Sequence, residues 1–144
     1  MTSSYIPEKT KARIRTAFQN RCAYCLSSQR YVYGPFEIEH IIPLFLGGSN
    51  NEDNLCLACR LCNSYKGVQT TGVDPVSKQT ISLFNPRAQV WQDHFCWSKE
   101  GTSVPGKTAI GRATVEAIQL NNELAVQVRP SWVAVGWHPP EELG

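Results

Sequence analysis

The sequence has no apolar run approaching the ~20 residues that a membrane-spanning helix needs, no internal repeat and no low-complexity tract. A helical membrane protein and a repeat array are thereby set aside. Met1–Tyr5 lacks the charged-then-apolar layout of a secretory signal, which predicts a cytoplasmic protein. Net charge is scarce too, since 14 Lys and Arg against 12 Asp and Glu leave only +2. A long-range pull on a polyanion would be weak, and any footprint for one must be local.

What is present is enough for one ordinary domain. A chain of 144 residues buries about two thirds of its unfolded surface, so a single domain over 1–144 is expected. Its six cysteines, in a chain without an export signal, argue for metal binding over disulfides, because the cytosol keeps thiols reduced. Two knuckles, Cys22-Ala23-Tyr24-Cys25 and Cys59-Arg60-Leu61-Cys62, have the spacing of a four-thiolate zinc shell. Cys56-Leu57-Ala58-Cys59 repeats the spacing and competes for the second knuckle. Cys56 and Cys96 read as small buried hydrophobes.

Along the chain, Met1–Ser4 is expected to be disordered, and Pro7 opens a helix running to about Asn20. Ile6, Ile14, Ala17 and Phe18 give it an apolar side. Lys9, Lys11, Arg13, Arg15 and Arg21 are opposed there only by Glu8, which suits either a solvated face or a local anion footprint. Tyr24, Tyr31 and Tyr33 read as packing around the metal, or as stacking surfaces.

The densest chemistry lies in Phe36–Asn63. Phe36-Glu37-Ile38 alternates as a short strand leading into Glu39-His40, and Pro43 ends regular pairing. Gly47–Asn50 is a turn, Asn54-Leu55 re-enters the core, and a short helix from about Arg60 stops at Gly67. Beyond it, Val68–Gln79 reads as an irregular link and Val90–Trp97 as a strand. Helices follow over Arg112–Asn122 and Glu123–Val135, the second kinked or split by Pro130. His94, His138, Trp132 and Trp137 read as packing residues.

The order Cys-x-x-Cys, Glu39-His40, Gly47-Gly48, Asn54-Leu55, Cys59-x-x-Cys62-Asn63, Lys66-Gly67 resembles the HNH endonucleases in their zinc-ribbon-stapled, ββα-metal form. The resemblance spans Cys22–Gly67, with looser likeness at Gly111–Glu116 and Gly136–Pro140. It implies an α+β fold with an HNH core at about 20–70, a four-cysteine zinc knuckle, an N-terminal helix, and a helical buttress at about 80–144 packed on the core. The family places its knuckle directly before the asparagine, which favours Cys59 over Cys56.

The resemblance also implies a metal-dependent endonuclease acting on double-stranded DNA. Histidine is neutral near pH 7, so His40 is the expected general base. Glu39 and Asn63 are the expected ligands of one Mg²⁺ or Mn²⁺, ions that prefer carboxylate, amide carbonyl and water oxygens. Asn54 joins the catalytic set as the middle asparagine of the family pattern, whose amide ties together the loop carrying the histidine. Lys66, Arg13, Arg15 and Arg21 are the expected nucleic-acid contacts. Adjacent strand residues point to opposite faces, so Glu39 and His40 serve one site only if the backbone bends. The family more often has aspartate at Glu39 and histidine at Asn63. Two other readings compete: a zinc-ribbon module that binds nucleic acid without cutting it, and a thiol redox protein. The second lacks the βαβ context that a redox Cys-x-x-Cys requires.

Overall fold

The computed structural model describes residues 5–141, so the expectation for Met1–Ser4 lies outside the described residues. The fold is α+β, with two separate two-stranded sheets among helices. It divides into two compact units. One holds the described residues up to Thr70 together with Asn85–Gln89, and the other holds Thr71–Phe84 with the described residues from Val90 on.

The first unit begins with α1, Glu8–Ala17. Pro7 supplies a fixed φ just before it, Glu8 sits in the first turn and Arg15 in the last, in keeping with the helix dipole. Ile14 is completely buried and carries the apolar side. Gln19 and Asn20, both at positive φ, end the helix and turn the chain into the first knuckle.

Strands β1 (Glu37–His40) and β2 (Leu55–Ala58) pair antiparallel, with Glu39 opposite Cys56 and His40 opposite Leu55. All four residues of β2 are buried. Ala23 N–H donates to Leu57 O at 2.8 Å, which fixes the first knuckle to the hairpin. Cys59 caps α2, Arg60–Lys66, and Gly67 ends it. Arg87 adds the segment 85–89 to this unit: its Nε donates to Leu55 O at 2.8 Å and its guanidinium lies over the Phe18 ring.

Between β1 and β2 the chain doubles back tightly. Gly47 takes φ 95°, and a Cβ on Gly48 would fall 1.8 Å from Ile42 O. Glycine at 48 is therefore a steric requirement.

In the second unit, β3 (Thr71–Val73) and β4 (Thr80–Ser82) form a hairpin, followed by α3 (Trp91–His94), α4 (Ala109–Ile118) and α5 (Glu123–Ala134). Thr108 and Asn122 cap the last two helices through their side-chain oxygens. Asp74 organises the hairpin turn, accepting from Val76 N, Ser77 N and Ser77 Oγ while Arg112 grips it with two hydrogen bonds.

Several expectations are corrected here. Residues 71–82 are a hairpin in place of the irregular link. Val90–Trp97 is not a strand: Trp91–His94 is a helical turn that stacks Trp91 on Phe95, rings 5.2 Å apart. Pro130 lies within α5 without splitting it, and the buried Arg129 beside it donates to Thr102 O and Leu120 O. Cys96 is exposed, whereas Cys56 is buried.

Candidate functional site

The four knuckle cysteines converge. The Sγ atoms of Cys22, Cys25, Cys59 and Cys62 lie within 4.8 Å of one another, all four residues buried, and Cys25 Sγ is 3.7 Å from Cys59 Sγ. A tetrahedral ion with Zn–S bonds of about 2.3 Å would hold its sulfurs about 3.8 Å apart, so the pocket fits a thiolate-bound zinc. Backbone N–H groups of Tyr24 and Cys25 point at Cys22 Sγ, and that of Cys62 at Cys59 Sγ. Such donors favour thiolate. The thiols alone compete for ionisation: hydrogen bonds from Cys22, Cys59 and Cys62 hold Cys25 below the usual thiol range, while burial pushes Cys22 up. A divalent cation would end that competition.

His40 closes β1. Its Nε2 lies 2.7 Å from Asn50 Oδ1. An amide oxygen only accepts, so Nε2 carries the proton and Nδ1 remains the basic nitrogen. Asn54 binds the intervening loop at three points: Nδ2 donates to Ile42 O and Ser49 O, and Oδ1 accepts from Ile42 N. Asn50 is the functional neighbour that sequence reasoning missed. Its only signal is an amide at the end of the Gly47–Asn50 turn, ten residues past the histidine.

Glu39 and Asn63 take different partners. Glu39 and Lys66 are 4% and 2% exposed at the side chain, with Lys66 Nζ 2.8 Å from Glu39 Oε1. This is an electrostatic contact and not an aligned hydrogen bond, since Oε1 has no hydrogen-bond donor. Cys56 Sγ donates to Oε2 at 3.2 Å; burial and the Glu39 charge push that thiol up and keep it protonated. Lys66 also donates to Ile41 O at 3.0 Å and reaches His40 O at 3.4 Å. Lys66, the expected phosphate contact, is thus engaged with Glu39 and with Ile41 O. Strand β1 alternates, so Glu39 faces inward, and Lys66 must follow it because α2 packs there.

Asn63 instead meets Glu37, whose Oε1 accepts from Asn63 Nδ2 at 2.9 Å. Glu37 and His40 also line a shallow cleft of about 420 Å³ whose other walls include Tyr5, Phe36, Lys11 and Arg15. Of the expected cationic contacts, Arg15 belongs to this cleft. Arg13 is neutralised by Glu52, and Arg21 is held inside the knuckle by Leu26 O and Tyr31 Oη. Lys11, loosely paired with Glu8 at 3.4 Å, takes the place expected of Arg13.

Residues 22–69 match the family model of the HNH endonucleases. No curated protein and no solved structure matches the chain. Among the described residues, no helix is long and apolar enough to cross a membrane.

Proposed function

We propose, from the match of residues 22–69 to the HNH endonuclease family model, that the protein is a metal-dependent endonuclease hydrolysing phosphodiester bonds in double-stranded DNA. The observation that carries this reading is the cleft that collects His40, an acid of β1 and the cations Lys11 and Arg15. Hydrolysis needs a base for water, positive charge beside the phosphate, and something to stabilise the departing oxygen.

His40 accepts the proton of the attacking water at Nδ1, because Asn50 holds Nε2 in its protonated form. Asn54 keeps the loop that carries Asn50 in place. Lys11 and Arg15 bind phosphates flanking the cleaved bond and set the register of the strand. An acid of β1 and the Asn63 amide offer the hard oxygen donors that Mg²⁺ or Mn²⁺ prefers, and such an ion, when bound, supplies Lewis acidity at the phosphate and at the leaving oxygen. The four thiolates of Cys22, Cys25, Cys59 and Cys62 would hold a structural Zn²⁺, which would clamp the two knuckles together.

The sealed state of Glu39 favours a second reading, a zinc-ribbon module that binds DNA without cutting it. Incubating the purified, zinc-loaded protein with supercoiled, linear and single-stranded DNA across Mg²⁺, Mn²⁺ and Ca²⁺ separates the two. The nuclease reading expects metal-dependent conversion of duplex DNA, and binding without conversion under every metal would support the module.

A further inference from the structure

We infer that Tyr5 is a substrate contact whose ring stacks on a nucleobase unpaired beside the cut, an assignment that rests on the nuclease reading above. The chain then favours DNA with an unpaired base near the cleaved bond over DNA paired throughout. The position of the ring carries the inference. Tyr5 lines the cleft of about 420 Å³ that also holds His40, Lys11, Arg15 and Glu37, yet 71% of the residue stays exposed. A broad aromatic face left open in a concave, cation-bearing site is suited to a flat partner. The backbone beneath it is pinned. Ile6, next along the chain, is buried, Pro7 O accepts from Lys11 N at 3.0 Å at the start of α1, and Tyr5 O accepts from Asn50 Nδ2 at 3.5 Å. Asn50 is also the residue that holds His40. A single amide thereby links the main chain under the ring to the proposed base.

The neighbours of the ring complete a groove for a nucleic-acid strand. Lys11 and Arg15 are four residues apart on α1 and share a face, and these two cations outnumber the one carboxylate of the cleft, Glu37. Cations that follow the backbone, beside an aromatic ring that takes a base, are the general means of holding unpaired strands. In an intact duplex each base is covered by its neighbours, so a protein ring reaches a base face only where the nucleotide is unpaired or turned out of the stack. The volume of the cleft falls in the range of sites that hold one small organic molecule, which suits a single nucleotide. Tyr5 lies outside residues 22–69, the part that matches the family model. The contact therefore belongs to the N-terminal segment and not to the matched domain.

The test measures DNA affinity of the zinc-loaded full chain by fluorescence anisotropy at one fixed salt concentration, without Mg²⁺ or Mn²⁺ so that nothing is cut. The probes are a fully paired duplex and the same duplex carrying a short mismatched bubble. The wild type should bind the bubble more tightly. Tyr5→Ala should lose roughly tenfold in affinity for the bubble, within the range of stacking on one base, and several-fold less on the paired duplex. Tyr5→Phe should keep the wild-type preference, and both variants should melt near the wild-type temperature, because the ring is exposed. Undiminished binding of the bubble by Tyr5→Ala, or an equal loss on the two probes, would overturn the assignment alone. A wild type that binds neither probe would overturn both the assignment and the nuclease reading. A Tyr5-dependent preference in a chain that cuts no DNA under any metal would sink the nuclease reading and uphold Tyr5 as a DNA contact.

Discussion

Lys66 Nζ and Glu39 Oε1 stand 2.8 Å apart with both side chains almost sealed from solvent. Removing one partner of such a pair leaves an uncompensated buried charge, at a cost of about 3–5 kcal/mol, whereas replacing both with apolar groups is close to neutral. Lys66→Met should therefore lower the urea midpoint sharply. The double variant Glu39→Leu/Lys66→Met should recover most of that loss. A double variant at least as unstable as the lysine variant would show that the pair acts through something other than mutual neutralisation.

The four-thiolate pocket makes a second prediction. Binding energy at a structural zinc is folding energy, so a strong chelator, or Cys62→Ser, should remove the ordered amide spectrum of residues up to Thr70. One tightly bound zinc per chain should be measured in the native protein. An unchanged spectrum and melting point after complete zinc removal would count against the pocket as a metal centre.

In the second unit, Arg112 holds the Asp74 carboxylate well below the usual carboxylate range, with backbone donors from the hairpin turn assisting. The sign follows from linkage: a depressed folded value stabilises wherever the unfolded carboxylate, near pH 3.9, is already ionised. The contribution is complete above about pH 4 and is lost as pH falls further toward the depressed folded value. Acid titration of stability should steepen below pH 4 in the native protein, and Arg112→Met should flatten that limb. Identical acid limbs in the two proteins would remove Asp74 from the account.

Much of the first unit was legible because its signals are local. The β1 alternation and the stop at Gly67 each follow from a few neighbouring residues, whereas the choice of Cys59 over Cys56 came from the family resemblance. The burial of Lys66 was not legible because it depends on how α2 packs on β1, and a lone helical lysine usually faces water. The β3–β4 hairpin escaped notice because its strands are three residues long and its turn places Lys78, not glycine or asparagine, at positive φ. Val90–Trp97 misled for another reason. Its aromatic residues fit a period of two, yet Trp91 and Phe95 stack at a spacing of four, one helical turn. Asn50 could not be paired with His40 from sequence, since the tight return through Gly48 decides that approach.

The cleft cations give a fourth prediction. If Arg15 touches a phosphate, Arg15→Ala should weaken DNA binding evenly across sequences and reduce the slope of log affinity against log salt by about 0.9. Arg13→Ala, which releases Glu52 and Thr10, should change that slope far less. Equal effects of the two substitutions would place the DNA elsewhere than the cleft.

The most direct measurement compares the wild-type chain and His40→Ala in cleaving supercoiled plasmid with Mg²⁺ or Mn²⁺, with zinc content and melting temperature recorded for both. The account predicts metal-dependent cleavage by the wild type, and a loss of about a hundredfold or more in the variant, the range assigned to a positioned proton acceptor, with zinc and stability unchanged. Equal cutting by the two proteins would contradict it.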